Sequence, residues 1–144
     1  MRALFLLLLP LLLSSCSSKP NIDPADFAGA IKDNFQTDIK ADGLKLFTYT
    51  ARLTAPKADG RYENPIEAPR TAKEMRQRQA IREARLAVFE QQLQLGLDNT
   101  LKMNQYCREG FYELSRLLQS DRGEIRGECR DGANEMDRSR FGNK

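Results

Sequence analysis

The chain has 144 residues, a formal net charge of +3 at pH 7, 30% charged side chains, three cysteines and no histidine. That length suits one small domain. The near-neutral balance argues against nucleic-acid binding, which needs a concentrated basic surface, and without imidazole there are no His-based triads or His-ligated zinc sites.

Met1-Arg2 places a positive side chain beside the initiator amine, and Ala3 to Leu13 follows as an uncharged apolar run. Spanning a bilayer takes roughly 20 apolar residues, about twice that length. A short apolar core behind a positive end is the pattern of an export signal. Leu13-Ser14-Ser15-Cys16 then supplies an aliphatic residue, two small residues and a cysteine. This segment resembles the lipobox signal of bacterial lipoproteins. The resemblance covers the signal alone, and no family is recognised in the 128 residues beyond Cys16. It implies cleavage between Ser15 and Cys16, diacylglycerol on the Cys16 sulfur and acylation of the new amine. Sulfur is the nucleophile such lipid transfer requires, and two or more acyl chains hold a protein firmly on a bilayer. In that family an Asp after the cysteine favours inner-membrane retention in enteric bacteria. Ser17 stands there instead, so the expected address is the outer membrane, facing the periplasm. The alternative is an ordinary secretory signal with a chance cysteine.

Loss of residues 1–15 leaves 129 residues and lowers the charge to +2, because Arg2 leaves with the signal. No second long apolar run follows, so only the lipid on Cys16 is expected to enter the membrane. Cys107 and Cys129 remain. In an oxidising compartment the simplest expectation is a disulfide, worth roughly 3 kcal/mol by loop-closure entropy. A metal or redox pair is the alternative, but there is no histidine and no Cys-x-x-Cys. No metal or other cofactor is expected.

Residues 16–22 read as a lipidated polar tether, 23–130 as one domain and 131–144 as a polar tail. Asp23-Pro24-Ala25-Asp26 has the signals of a helix start, and Phe27, Ile31 and Phe35 step by four. A short helix over 24–35 is therefore predicted, its aromatics docking on the core or touching a partner or the lipid surface. Asp42-Gly43 marks a turn. Phe47, Tyr49, Ala51 and Leu53 alternate with Thr48, Thr50 and Arg52, which predicts a strand over 44–53. Residues 55–70 hold three prolines and Asp59-Gly60, which predicts a long loop. Tyr62 and Ile66 there would contact a partner, or the loop is a spacer.

Thr71-Ala72-Lys73-Glu74 is a capping-box sequence. Leu86, Phe89, Leu93, Leu97 and Leu101 lie on one stripe, which predicts a helix over 71–106, bent at Gly96 or extending beyond the sheet. Arg78, Arg82 and Arg85 step by four and three along it. They are the candidate anion-binding residues, for a lipid A phosphate or peptidoglycan carboxylates. A solvated charged face is the plainer alternative. Gly110 would end the helix. Residues 111–119 and 124–130, joined by Ser120-Asp121-Arg122-Gly123, predict a hairpin. Residues 131–144 show no apolar periodicity, and a frayed end is expected.

These elements predict an α+β fold: a short antiparallel three-stranded sheet (β-α-β-β) packed by one long helix and preceded by a short N-terminal helix. Enzyme activity is not expected. No phosphate loop or nucleophile elbow is present, and scattered carboxylates such as Glu63 and Glu113 do not single out a catalytic pair. The functional expectation is a lipid-anchored envelope protein that binds a partner protein or supports an assembly. The alternatives are an anion binder acting through Arg78, Arg82 and Arg85, or a small inhibitor of a cell-wall hydrolase inserting the 55–69 loop.

Overall fold

Lys45 to Leu53 alternates in burial, and that alternation organises the domain. Phe47, Tyr49 and Ala51 are buried, while Thr48 and Thr50 are half-buried and Arg52 is exposed. In the computed structural model, which describes residues 20–27, 29–54 and 71–142, this segment is a central strand. Strands β1 (Ile31–Ile39), β2 (Lys45–Leu53), β3 (Phe111–Leu118) and β4 (Arg122–Cys129) form one sheet in the order β1-β2-β4-β3. Every neighbouring pair is antiparallel. Helix α1 (Ala72–Asn104) falls between the two hairpins in the chain, and α2 (Glu135–Phe141) closes it.

Helix α1 lies on one face of the sheet. Its buried residues are Phe89, Leu93, Leu97 and Leu101, and they share a core with Phe47, Tyr49 and Ala51 of β2 and Ile125 of β4. Burying each of these large side chains contributes about 1.5–3 kcal/mol. Glycine lets the layers approach closely. A Cβ at Gly96 would collide with the Tyr49 hydroxyl and lie 3.2 Å from its Cζ. Thr71 caps the helix, its hydroxyl accepting from the Glu74 N–H at 3.2 Å. Gln105, at φ 57°, ends it by donating its N–H to Leu101. Before Phe89 no residue of α1 is buried, so its N-terminal half is held only along one flank.

The predicted three-stranded sheet behind an N-terminal helix is incorrect: the sheet has four strands. Residues 24–35 are not a helix. A single 3-10 turn spans Pro24–Phe27, with Asp23 accepting from the Ala25 N–H at 2.9 Å. Gly29 at φ 74° then turns the chain into β1. The cause of the misreading is physical. A step of four places Ile31 and Phe35 on one side of a helix, but also on one side of a strand. In β1 they share the helix-covered face with Thr37 and Ile39, as the pairing with β2 shows.

The C-terminal end is also ordered differently from expectation. Helix α2 begins with a capping box, in which the Asn134 side chain accepts from the Asp137 N–H while the Asp137 carboxylate accepts from the Asn134 N–H. Phe141 packs edge-on against Tyr106, with ring centroids 5.0 Å apart. Helix α1 is unbroken at Gly96, which serves as a contact point rather than a bend. Its C-terminal residue in the left-handed region is Gln105, and Gly110 instead turns the chain into β3.

Candidate functional site

The register of the strands defines two unlike faces. Helices α1 and α2 cover one of them. On the other, the partners align in rows across the sheet. Lys32, Arg52 and Arg122 form the first row, and Asn34, Thr50, Glu124 and Leu117 the second. Gln36, Thr48, Arg126 and Ser115 form the third, and Asp38, Leu46, Glu128 and Tyr112 the fourth. No described helix packs on this face, and none of its side chains is fully buried.

The first row is thus wholly cationic and the fourth carries the carboxylates of Asp38 and Glu128, with Glu124 and Arg126 on the rows between. Three steps of two residues each separate the first row from the fourth by roughly 20 Å. The cationic end floors a shallow depression of about 570 Å³ that includes Lys32, Asn34, Thr50, Arg52 and Arg122. A second hollow of about 220 Å³ lies beside Gln36, Leu46, Thr48, Leu114 and Arg126.

Strand β3 is an outer edge of the sheet. Its pairing with β4 shifts register between Glu113 and Ser115, which leaves Leu114 as the extra residue of a bulge. Tyr112, Leu114 and Leu117 are 58%, 55% and 47% exposed. The Arg130 guanidinium lies 4.9 Å from the Tyr112 ring centroid. An edge strand with exposed large apolar side chains is a template for pairing with another chain.

The opposite end of the covered face holds an ion cluster. Lys45 is fully buried, and its amine donates to Asp131 Oδ2 at 2.8 Å and Asp137 Oδ2 at 3.4 Å. Arg108 grips Asp137 with two bonds of 2.8 and 2.9 Å and reaches Asp131 at 2.9 Å. These bonds, led by that of Arg108, hold the Asp137 carboxyl well below the usual carboxylate range. Tyr106 sits 5.1 Å from the Lys45 amine and donates its hydroxyl to the Leu46 carbonyl at 3.0 Å. Burial pushes the Tyr106 hydroxyl up to about 12. Each charge in the cluster has an opposite partner, although Asp131 Oδ1 is buried without a hydrogen bond among the described residues, and together the pairs tie α2 and the β4 end to β2. The arrangement is that of a clamp.

Another buried hydroxyl, that of Tyr49, donates to Asp33 at 2.9 Å beneath Gly96. Burial first, and the Asp33 carboxylate second, raise its pKa.

Cys107 and Cys129 are bonded in the structure, their Cα atoms 4.9 Å apart. The bond joins the turn after α1 to the end of β4. Arg78, Arg82 and Arg85 are all exposed on the N-terminal half of α1. Cys16, Glu63 and the 55–69 loop with Tyr62 and Ile66 lie outside the described residues. Among the described residues no group of three or more carboxylates or cysteines is placed to hold a metal. No described helix is long and apolar enough to cross a membrane.

Sequence spacing revealed neither the ion cluster nor the cationic row. Lys45 and Asp137 are 92 positions apart, and the row exists only once three strands are in register. Comparisons with protein-family models, curated proteins and solved structures found no match to this chain.

Proposed function

We propose that the chain is a lipid-anchored envelope protein of a bacterium, held at the periplasmic side of the outer membrane through Cys16, with a non-enzymatic role in binding a partner protein. Leu13-Ser14-Ser15-Cys16 supports the anchor. The observation that carries the binding role is the β3 edge, where Tyr112, Leu114 and Leu117 are exposed together beside an uncovered sheet face. Isolated exposed apolar residues are ordinary on protein surfaces, whereas several along one edge strand form a contact surface.

The partner segment that fits this edge is extended and apolar at alternate positions. It would add main-chain hydrogen bonds to β3 and seat side chains against Leu114 and Leu117. Basic residues in the same segment would meet Glu128, which pairs with Tyr112 across β3 and β4.

A photo-reactive residue at Leu114 or Leu117, in cells, tests this. The reading predicts one discrete protein adduct from these two positions, absent from probes at Met103 and Met136, which are more exposed than either. Tyr112→Arg should abolish the adduct. The same adducts from all four positions, or none from β3, would count against it.

A further inference from the structure

We propose that Lys32, Arg52 and Arg122 form a binding site for a phosphate group. In sheets, residues directly opposite each other have Cβ atoms about 4.5–5.5 Å apart, and like charges so placed repel. Here three cations stand opposite one another across three consecutive strands, Lys32 to Arg52 and Arg52 to Arg122. Salt bridges elsewhere in the domain show how this sequence usually disposes of such charge: Arg116, for example, is matched by Glu113 and Glu90. Among the described residues the compensation in the cationic row is incomplete. Glu124 accepts from Arg122 Nη2 at 3.0 Å. Asp33, at the rim, belongs to the other face and accepts from the Tyr49 hydroxyl. Arg122 Nε is buried and donates to no acceptor among the described residues.

The setting suits an oxyanion. The row floors a depression that also presents Asn34 and Thr50, together with the carboxylates of Asp33 and Glu124. Those two carboxylates are engaged by the Tyr49 hydroxyl and by Arg122, so the three cations and the neutral polar groups remain to face a ligand. Guanidinium groups match the tetrahedral array of phosphate oxygens and bond it in pairs, which a lone ammonium cannot do. Planar carboxylates satisfy one such fork. A phosphate can engage Arg52, Arg122 and Lys32 at once, and that distinguishes it as the ligand class. Arg78, Arg82 and Arg85, by contrast, span about two turns of a single helix, where all three are exposed.

The phosphate could be carried by a lipid headgroup or by a soluble molecule, and one experiment separates them. The full chain is produced in a bacterial host, purified in neutral detergent, and titrated at low salt with pyrophosphate. In parallel, its micelles are doped with phosphatidylglycerol or phosphatidylcholine. Binding is read by calorimetry and by the shift in thermal midpoint. A response to pyrophosphate identifies a soluble phosphate ligand. A response to phosphatidylglycerol alone, with none to phosphatidylcholine, identifies a headgroup. In either case Arg52→Gln should weaken binding about tenfold or more, the loss expected for a charged hydrogen bond. Lys32→Gln should weaken it in the same direction, and Arg82→Gln should leave it unchanged. Arg52 and Lys32 are exposed, so both variants keep the fold, which circular dichroism verifies. No response in either arm, or equal binding by Arg52→Gln and the unaltered chain, overturns the proposal. The test is independent of the β3 edge: Tyr112→Arg leaves the phosphate site in place.

Discussion

Replacing Lys45 by Met removes the central cation of the buried cluster while keeping the side-chain volume. The Lys45 side chain is 0% exposed, and its amine is shared by Asp131 and Asp137, whose side chains are 9% and 5% exposed. Removing one partner of a buried pair costs about 3–5 kcal/mol, because the remaining charge stays out of water without compensation. Here Arg108 continues to hold both carboxylates, at 2.8 and 2.9 Å. The loss should therefore fall at the low end, about 3 kcal/mol, which for a domain of this size lowers the thermal midpoint by roughly 10–15 °C. Urea unfolding of both chains gives the difference directly. Arg116→Met is the control. Its partners Glu113 and Glu90 are 35% and 47% exposed, so the change should cost at most about 1 kcal/mol. A Lys45→Met loss under about 1 kcal/mol would refute the reasoning, since it would mean that the amine is not desolvated in the folded state.

Further tests address other parts of the domain. Gly96→Ala gains about 1 kcal/mol in helix propensity, but its Cβ collides with the Tyr49 hydroxyl. A net loss of about 1–2 kcal/mol is expected from overpacking, and Tyr49→Phe should recover part of it in a double-mutant cycle by denaturant unfolding. The Asp137 carboxyl is lowered from 3.8. Its contribution is thus fully present above that value and is lost as pH falls through the lower folded value, as acid-titration of stability will show. Asp137→Asn should flatten that part of the profile, and an unchanged slope below pH 4 would contradict the pairing with Arg108. Reduction of the Cys107–Cys129 bond, which closes a sequence separation of 22, should cost roughly 3 kcal/mol, measured by unfolding with and without reductant. A midpoint that does not move would remove its role in stability.

Local patterns made some of this fold legible in the sequence. Strand β2 shows in the alternation from Phe47 to Leu53, and α1 in the stripe from Phe89 to Leu101. The hairpin of β3 and β4 shows in two short apolar-polar runs around a turn. Strand β1 was hidden because the Phe27, Ile31 and Phe35 spacing satisfies helix and strand alike, and only pairing with β2 decides between them. Helix α2 offers one deeply packed group, Asp137, and one aromatic, Phe141, too few to generate a period. Its cap signal is also unusual, with Asp at the third helical position where Glu or Gln is the recognised pattern.

The candidate site was less legible than the fold, for a related reason. The sequence pointed to Arg78, Arg82 and Arg85 because their spacing is local, yet local spacing reports only that they share a helix face. Lys32, Arg52 and Arg122 lie on three strands and become neighbours through register alone. The exposure of Leu114 depends on a bulge, which inserts one residue into β3 without any glycine to mark it. Tertiary pairing, not composition, creates each of these features.

The envelope reading rests most directly on Cys16. Intact mass and membrane fractionation of the chain expressed in a bacterial host, beside Cys16→Ser, test it in one measurement. The account predicts loss of residues 1–15, added acyl mass on the remaining chain, and a membrane-bound fraction that disappears in Cys16→Ser. A mature chain of unmodified mass, free in the periplasm and indifferent to that substitution, would contradict it.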